Sequence, residues 1–300
     1  MRILLTGANG FLGKYIIEYF RDKHIVDTFG RSNICNYKFN LADEIPSINE
    51  KYDVVIHAAG KAHFVPISQS DADDFFKVNY QGTINLLKAL EGQRLQAFVF
   101  ISTVAVYGLN EGFNVSEKAP LRAMDPYGKS KIMAEESVRE WSIKNNVHYT
   151  IFRLPLLIGV DAPGNLDTMI RGIKRGIYFN ISDNVAKKSM VLVNDIPIAI
   201  EKAIGKSGIF NLTDGYNPSF KELSKIISNQ LNRTLYSMPY WMAVSIAKIG
   251  DLLGNTSPLN TNKLIKITSN LTFDDSKARE TFGWNPTSVL DGFKLNKNAK

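Results

Sequence analysis

Cysteine is almost absent from this sequence, since Cys35 is the single one among 300 residues. One cysteine cannot form an intramolecular disulfide, which fits a reducing compartment. It also excludes a thiolate-rich metal site, and the four histidines show no His-x-x-x-His spacing. We therefore predict no metal site, and we expect a cytoplasmic location.

Long apolar runs and long basic runs are also missing. The uncharged stretch 234–247 is shorter than a membrane span and contains Pro239. Lys and Arg exceed Asp and Glu by seven, and six of those charges fall in residues 156–300. Because no basic–aromatic stripe accompanies this excess, nucleic-acid binding is disfavoured. An anionic small ligand or a general surface charge both stay compatible with it.

What is present is a regular alternation of short apolar runs with amphipathic segments. Buried strands are predicted at 2–5, 25–29, 52–58, 96–102 and 149–153, with helices at 11–20, 73–90 and 126–145 between them. This order predicts an α/β fold, a Rossmann-type doubly wound parallel sheet covered by helices on both faces. We assign residues 1–155 to a dinucleotide-binding domain that also receives about 186–212. Residues 156–185 and 213–300 form a smaller mixed α/β substrate subdomain.

The strongest apolar feature of the second half is a predicted helix at 240–253. We expect its apolar residues to pack in the core of the substrate subdomain. A role at a membrane surface is the alternative, and the few basic residues of the helix disfavour it. We accordingly expect no membrane association.

A glycine-rich loop separates the first predicted strand from the first helix. Its glycines, Gly7, Gly10 and Gly13, have the spacing G-x-x-G-x-x-G. The first permits a tight turn, the second lets the backbone approach a pyrophosphate, and the third lets the helix pack close to the strand. Amide groups at the helix N-terminus then face the anion. The loop predicts dinucleotide binding, with an ordinary turn as the alternative.

The end of the second predicted strand bears on which dinucleotide is bound. NAD sites usually place an acid there to hold the ribose 2′-hydroxyl, whereas this strand ends in Gly30, followed by Arg31 and Ser32. A guanidinium and a hydroxyl suit a 2′-phosphate. Asp27 complicates this interpretation, although it lies inside the strand. We favour NADP over NAD.

A possible catalytic pair follows in the helix at 126–145. Tyr127 and Lys131 are four residues apart, so they lie one turn apart on one helix face. A phenol has a pKa near ~10, and an adjacent ammonium is expected to lower it. Ser102 and Thr103 end a predicted parallel strand, where side chains point toward the ligand crevice. The alternative is a surface pair on a solvated helix.

Taken together, these motifs resemble the extended short-chain dehydrogenases/reductases, the epimerase/dehydratase family of nucleotide-sugar enzymes. The resemblance covers about residues 1–293. It is carried by the segments 6–13, 57–60, 78–83, 100–108, 127–131, 153–159, 274–279 and 283–286. It is nearest to reductases of UDP-4-keto-6-deoxy-N-acetylhexosamines and to UDP-N-acetylglucosamine 4-epimerases.

The resemblance implies roles for individual residues. Tyr127 would be the acid/base and Lys131 its electrostatic partner, with Thr103 and Ser102 at the reacting sugar oxygen. Asn165 and Lys188 would join Thr103 in binding substrate. The family more often has Asp where Asn40 stands, and an amide can also meet the adenine edge. The implied cofactor-binding set is Gly7, Asn9, Gly10, Phe11, Leu12, Gly13, Arg31, Ser32, Asn40, Leu41, Ala58, Ala59, Gly60, Lys61, Asn79, Tyr127, Lys131 and Pro155.

Three functions stay open at this point. The first is NADPH-dependent reduction of a UDP-4-keto-6-deoxy-hexosamine, which Arg31 favours. The second is 4-epimerisation of UDP-glucose or UDP-N-acetylglucosamine with bound NAD. The third is a non-catalytic NADP-binding regulator, which the retained Tyr127 and Lys131 disfavour. Dehydration is disfavoured because Val104 and Ala105 stand where dehydratases of the family carry an Asp-Glu pair. The resemblance also implies a homodimer that packs through the helix carrying Tyr127.

Overall fold

The computed structural model describes residues 1–62, 66–182, 185–253, 257 and 259–295. The strands of this described chain are β1 (Arg2–Thr6), β2 (Ile25–Gly30), β3 (Tyr37–Lys38), β4 (Val54–His57), β5 (Ala97–Thr103), β6 (Gly112–Val115), β7 (His148–Leu154), β8 (Leu156–Ile158), β9 (Phe179–Ile181), β10 (Met190–Leu192), β11 (Gly208–Asn211), β12 (Tyr236–Met238) and β13 (Leu271–Phe273). Its α-helices are α1 (Phe11–Phe20), α2 (Gln69–Phe75), α3 (Gly82–Ala89), α4 (Pro126–Lys144), α5 (Asn165–Lys174), α6 (Asp195–Ala203), α7 (Phe220–Leu231), α8 (Tyr240–Leu252), α9 (Thr261–Thr268), α10 (Ser276–Phe282) and α11 (Val289–Gly292).

A parallel sheet forms the centre of the molecule. Its strand order is β11-β7-β5-β4-β1-β2-β3, and the predicted α/β fold class is confirmed. Strand β1 is apolar throughout its centre because helices cover both faces: Ile3, Leu4 and Leu5 have no exposed surface. The chain leaves β1 toward β2 on one side and returns to β4 on the other. A crevice therefore opens at the carboxyl ends of β1 and β4, which is where ligands bind in such sheets.

Two apolar clusters cover the two faces of this sheet. On one face α1 and α6 pack on the strands, with Ile16, Phe20 and Ile200 fully buried. On the other face α3 and α4 pack on the strands through Leu86 and Val138. These clusters fix the positions of the strand ends and of the first turns of α1 and α4.

The predicted helix at 73–90 is divided in the structure. A π-helical turn, Phe76–Gln81, separates α2 from α3. Its one extra residue per turn changes the direction of the side chains, and it buries Asn79 against the neighbouring loop and helix. The apolar periodicity of the segment gave no sign of this turn.

The C-terminal half is divided between the main sheet and a smaller lobe. Strand β11 joins β7 at the edge of the sheet, as Ile209 pairs with Ile151. Ala278 and Trp284 also belong to the cluster on the sheet, although they follow residue 213. The smaller lobe has its own apolar cluster between α5, α7 and α11. The domain division given above stays a prediction. Part of the segment 213–300, which we assigned to the substrate subdomain, packs on the main sheet.

Helix α8 corrects one expectation. We expected its large apolar residues to pack in the core, and that prediction is wrong. The buried positions are the small residues Ala243, Ala247 and Gly250. Trp241 and Leu252 instead are 67% and 87% exposed. None of the helices in the described ranges is long and apolar enough to span a membrane.

Candidate active site

The glycine loop forms a cradle at the end of β1. Gly7 has a φ of +77°, and a Cβ added there would lie 2.6 Å from the backbone of Ala58 and Ala59. A Cβ on Gly13 would lie 2.1 Å from the Gly7 carbonyl oxygen. Helix α1 begins directly after Gly10, and no side chain caps its first amide groups. The loop thus presents N–H groups to an anion at close range, so it fits a dinucleotide pyrophosphate.

A cleft of about 500 Å³ extends from this loop toward β5 and α4. Twelve residues predicted to hold cofactor line it, Tyr127 and Lys131 among them, together with the predicted catalytic hydroxyls of Ser102 and Thr103. Its lining is Gly7, Gly10, Phe11, Leu12, Gly13, Ala58, Ala59, Gly60, Lys61, Ala62, Ile101, Ser102, Thr103, Tyr127, Lys131, Leu154, Pro155, Leu156, Leu157 and Pro163. One elongated space therefore joins the anion cradle to the Tyr127 hydroxyl.

At the end of β2 the structure accounts for the acid inside the strand. Asp27 is 8% exposed and forms a 2.7 Å ion pair with Arg2. Its carboxylate is therefore engaged within the sheet. Arg31 is exposed directly after the strand, and Ser32 accepts a hydrogen bond from the Ile34 amide. The position usual for an NAD-binding acid is Gly30, where a Cβ would lie 2.8 Å from the Cys35 sulfur.

Three further residues predicted to bind cofactor lie in the glycine loop and in the loop after β3. The Asn9 amide nitrogen donates to the Cys35 sulfur at 3.5 Å. The Asn40 side chain bonds to Asp43, which turns that short loop back on itself. The Leu41 carbonyl accepts a 2.7 Å bond from Asn85 on α3. These contacts fix the loops, although none of the three residues lines the cleft.

Asn79 connects the loop after β4 to α4. Its side-chain oxygen accepts from the Lys61 amide at 2.7 Å, while its nitrogen donates to the Ser130 hydroxyl at 3.0 Å. Gly60 lies close, since an added Cβ would be 3.1 Å from the Asn79 oxygen. Asn79 is therefore a positioning residue for the cleft wall. The ammonium of Lys61, which belongs to the implied cofactor-binding set, pairs with Asp74 at 2.9 Å.

His57 is a structural residue beneath the glycine loop. It is 1% exposed, and its two ring nitrogens meet the hydroxyls of Thr6 at 2.6 Å and Thr83 at 3.0 Å. Burial, aided by the charge of Lys131, lowers its pKa to about 3. The ring is therefore neutral at physiological pH, where it holds β1 and α3 in register.

The first turn of α4 brings Tyr127 to the end of β5. Asp125 caps this helix by accepting from the Gly128 amide at 2.9 Å, and Pro126 follows at its first position. The Thr103 hydroxyl lies beside the Tyr127 phenol and acts on its pKa. Burial raises the pKa of Tyr127, the Thr103 hydroxyl opposes that rise, and the charge of Asp125 adds to it. Tyr127 is therefore protonated at neutral pH and can act as a proton donor.

The position of Lys131 corrects the expected role of its charge. Its ammonium donates to the Ile101 carbonyl at 2.6 Å and lies 4.2 Å from the centre of the Phe100 ring. We expected this ammonium to lower the pKa of Tyr127, whereas in the structure burial dominates and raises it. Burial also lowers the pKa of Lys131 to about 8, and the negative charge of Glu135 opposes that change.

Glu135 belongs to a buried polar network that sequence reasoning missed. It lies one turn beyond Lys131 and forms a 2.7 Å ion pair with Arg153, both side chains being at most 4% exposed. The Ser102 hydroxyl donates to the same carboxylate at 2.5 Å. Arg153 also donates to the Tyr107 hydroxyl at 3.1 Å. Ser102 is therefore held by Glu135, and Thr103 is the hydroxyl that meets Tyr127.

Of the predicted substrate residues, the cleft wall contains Thr103 but neither Asn165 nor Lys188. Asn165 is exposed at the first position of α5. Lys188 is 8% exposed and donates to the Lys266 carbonyl at 2.7 Å. Burial lowers its pKa to about 8.

Comparison with known proteins identifies the family of this chain. Residues 3–206 match the model of the NAD dependent epimerase/dehydratase family. The chain belongs to this family. It is therefore an enzyme, and its cofactor is a nicotinamide dinucleotide. The resemblance inferred from the sequence motifs is confirmed.

Three similar proteins show the range of the family. The UDP-glucose 4-epimerase of Vibrio cholerae is 27% identical over 99% of this chain and 94% of its own length. The N-acetyl-α-D-glucosaminyl-diphospho-ditrans,octacis-undecaprenol 4-epimerase of Escherichia coli O157:H7 is 27% identical over 97% and 92%. The structure of RMD from Pseudomonas aeruginosa complexed with NADPH superimposes with a TM-score of 0.72 at 21% identity, covering 97% and 96% of the two chains.

Among the residues that line the cleft, six apolar ones were absent from the predicted site of this family member. They are Ala62, Ile101, Leu154, Leu156, Leu157 and Pro163. Only their position could have suggested them, since Ile101 precedes the two hydroxyls of β5 and Leu154 precedes Pro155 at the end of β7. Apolar side chains in such strands are equally expected in the core.

Proposed function

We propose that this enzyme reduces the C4 ketone of a UDP-linked 4-keto-6-deoxy-hexosamine with NADPH. The observation that carries the proposal is the protonated Tyr127 phenol, which lines the cleft together with Thr103. Reduction of a ketone needs a proton donor at the carbonyl oxygen, and this phenol is one. Bound NADPH would supply the hydride.

The chain's own residues divide the remaining tasks. Gly7, Gly10 and the first amides of α1 hold the pyrophosphate, while Arg31 meets the ribose 2′-phosphate. Tyr127 gives its proton to the oxygen on C4 as negative charge develops there. Thr103 orients that oxygen, and the Tyr127 phenolate takes up a proton from solvent before the next turnover. The Lys131 ammonium adds positive charge to the same cleft. Leu154 and Pro155 shield the reacting atoms from water.

The residues after β5 support reduction rather than elimination of water. Val104 and Ala105 form the 3₁₀ turn that follows Thr103. Neither side chain can exchange a proton, so the second acid/base pair that dehydration requires is missing from this turn.

A second candidate function is 4-epimerisation of a UDP-linked sugar with retained NAD. It is favoured by the Vibrio cholerae relative, which carries the name UDP-glucose 4-epimerase and aligns over nearly the whole chain. The same Tyr127 and Thr103 would then first accept a proton from the C4 hydroxyl and later return it. The two functions differ in whether the cofactor is consumed.

Purified enzyme distinguishes the two. We expect oxidation of NADPH, followed by its absorbance, when a UDP-4-keto-6-deoxy-N-acetylhexosamine is added, and a slower rate with NADH. UDP-N-acetylglucosamine, added without reductant, should stay unchanged. Appearance of its 4-epimer by NMR, without net cofactor turnover, would overturn the reductase in favour of the epimerase.

A further inference from the structure

In helix α8 the small apolar residues face inward and the large ones face outward, which is the reverse of the arrangement in a core helix. Its inner face consists of Ala243, Ala247 and Gly250, which allow close approach to the rest of the lobe. The approach is tight, because a Cβ on Gly250 would lie 1.9 Å from the Leu259 carbonyl oxygen. An ordinary amphipathic helix buries its large apolar side chains instead.

The outer face of α8 therefore exposes those large side chains. Trp241, Ile249 and Leu252 are 67%, 64% and 87% exposed, and Met242 and Ile246 lie beside them at 38% and 40%. Ile249 and Leu252 follow Trp241 by eight and eleven residues, so the three side chains form one continuous stripe along the helix.

Neighbouring strands extend the stripe. Strand β12 leads into α8 and pairs with β9, so that Tyr236 lies opposite Phe179 with ring centres 6.1 Å apart. Both rings are about half exposed. We call the exposed side chains of Phe179, Tyr236, Tyr240, Trp241, Met242, Ile246, Ile249 and Leu252 the α8 face. Large apolar patches of this kind mark interaction surfaces.

Basic residues lie on α8 and on the elements next to it. Lys248 is exposed on α8 itself, and Lys266 is exposed on α9, which packs against α8 through Leu264. Lys263, also on α9, is half-buried and donates to the Ser257 carbonyl. Arg233 precedes β12. Across 233–270 the sequence contains four basic residues and one acid, Asp251.

The acidic groups of this region are already engaged. Asp251 accepts two hydrogen bonds from Thr261, which lower its pKa. On α5, which precedes β9 in the chain, Asp167 pairs with Arg171 at 2.7 Å, while Lys174 and Arg175 follow before β9. The lobe thus combines a hydrophobic stripe containing Trp and Tyr with a positive border.

We propose that the α8 face docks on the surface of an anionic lipid bilayer. Tryptophan and tyrosine favour the bilayer interface, aliphatic side chains enter the acyl boundary, and lysines at the border attract acidic headgroups. A second copy of this chain fits less well, because two such faces would bring their positive borders together. The proposal is independent of which sugar the cleft takes.

Trp241 provides a direct probe of docking. The other two tryptophans, Trp141 and Trp284, are 8% and 3% exposed, so a change of environment on binding falls on Trp241. With vesicles of phosphatidylglycerol and phosphatidylethanolamine we expect co-sedimentation of the protein and a blue shift of its emission. Phosphatidylcholine vesicles should bind far less.

Variants on the face test the assignment. Ile249→Ser combined with Leu252→Ser should weaken vesicle binding about tenfold or more, since two aliphatic side chains no longer enter the bilayer. Lys248→Glu should weaken it by more than about fivefold, because one attractive charge is worth about that factor and here its sign is reversed. A matched control compares Ile246→Ser with Ile198→Ser on α6, which is 37% exposed, and only the former should reduce binding.

Sedimentation velocity on the same proteins distinguishes a lipid bilayer from a second copy of this chain as the partner of the α8 face. Vesicle binding that is lost in the α8 variants, with the sedimentation coefficient unchanged, supports the proposal. Absence of vesicle binding overturns it. If, in addition, the wild type forms a dimer that Ile249→Ser with Leu252→Ser dissociates, the face is an interface between copies. Circular dichroism and NADPH oxidation verify that each variant is folded.

Discussion

Around the cleft, charged and polar groups lie inside the protein and contact each other, whereas in the α8 lobe large apolar groups lie outside. Glu135 and Arg153 form an ion pair that is almost fully buried beside Ser102 and Tyr107. Trp241 and Leu252 are mostly exposed over a helix face made of alanine and glycine. In both regions the usual distribution of polarity is reversed, and each reversal lies where a function is proposed. Solubility and stability alone favour neither arrangement.

The largest effect is expected at the proton donor. Tyr127→Phe removes the phenolic proton while keeping the ring against Phe75. We expect kcat to fall about 10²- to 10⁴-fold, the range typical of a lost general acid, with cofactor affinity nearly unchanged. Steady-state rates and cofactor fluorescence titration measure the two quantities. Tyr149→Phe on β7 is the control, and equal loss in both variants would contradict the assigned role.

The buried ion pair should dominate stability. Arg153→Ala leaves Glu135 charged and buried, which we expect to cost about 3 to 5 kcal/mol in the free energy of unfolding. Urea denaturation measures this value. The exposed ion pair between Arg171 and Asp167 on α5 is the matched comparison. Because solvent screens this pair, Arg171→Ala should cost less than about 1 kcal/mol. Similar costs at the two sites would remove the distinction between the regions.

The glycine cradle is expected to matter for binding as well as for stability. Gly7→Ala places a methyl group 2.6 Å from the next loop at a φ of +77°, so the anion site must move. We expect cofactor affinity to fall at least about tenfold. Gly176, with a φ of +69° and nothing within 4 Å of an added Cβ, provides the control. Gly176→Ala should cost about 1 to 2 kcal/mol of backbone strain and leave affinity intact.

A smaller effect is expected on the pH profile. Burial lowers the pKa of Lys131 to about 8, and the negative charge of Glu135 limits that decrease. Without that negative charge the ammonium deprotonates at lower pH, so the alkaline decline of kcat in Glu135→Gln should begin at lower pH. Glu136→Gln, an exposed neighbour on the same helix, should leave the profile where it is. A profile that does not move would mean that the Lys131 charge is not needed for turnover.

The smallest effect is expected on the α8 face. Leu252→Ala should change the free energy of unfolding by less than about 0.5 kcal/mol, since the side chain is 87% exposed. Leu86→Ala, at a fully buried position of the sheet cluster, should cost about 2 to 5 kcal/mol. A large cost at Leu252 would show that α8 belongs to the core after all.

Much of the site could be anticipated because it depends on local spacing. The glycine loop, Thr103, Tyr127 and Lys131 lie on one cleft because strand ends and helix starts meet at one edge of a parallel sheet. Asn79 was expected near the active site, but the π-helical turn that aims it gave no pattern in the sequence. Glu135 and Arg153 were missed because buried charges resemble surface charges until their partners are known.

The amino-acid sequence by itself determined the parallel sheet, the anion cradle and the Tyr127–Lys131 pair, since these follow from periodicity and from residues a few positions apart. Tertiary structure decided which way charge and apolar surface face. It placed the Lys131 ammonium on a carbonyl and a ring, so that burial sets the pKa of Tyr127. It also turned the large side chains of α8 outward, because Ala243, Ala247 and Gly250 pack closer than bulky residues could. Burial and long-range contacts depend on the whole chain, and short patterns do not contain them.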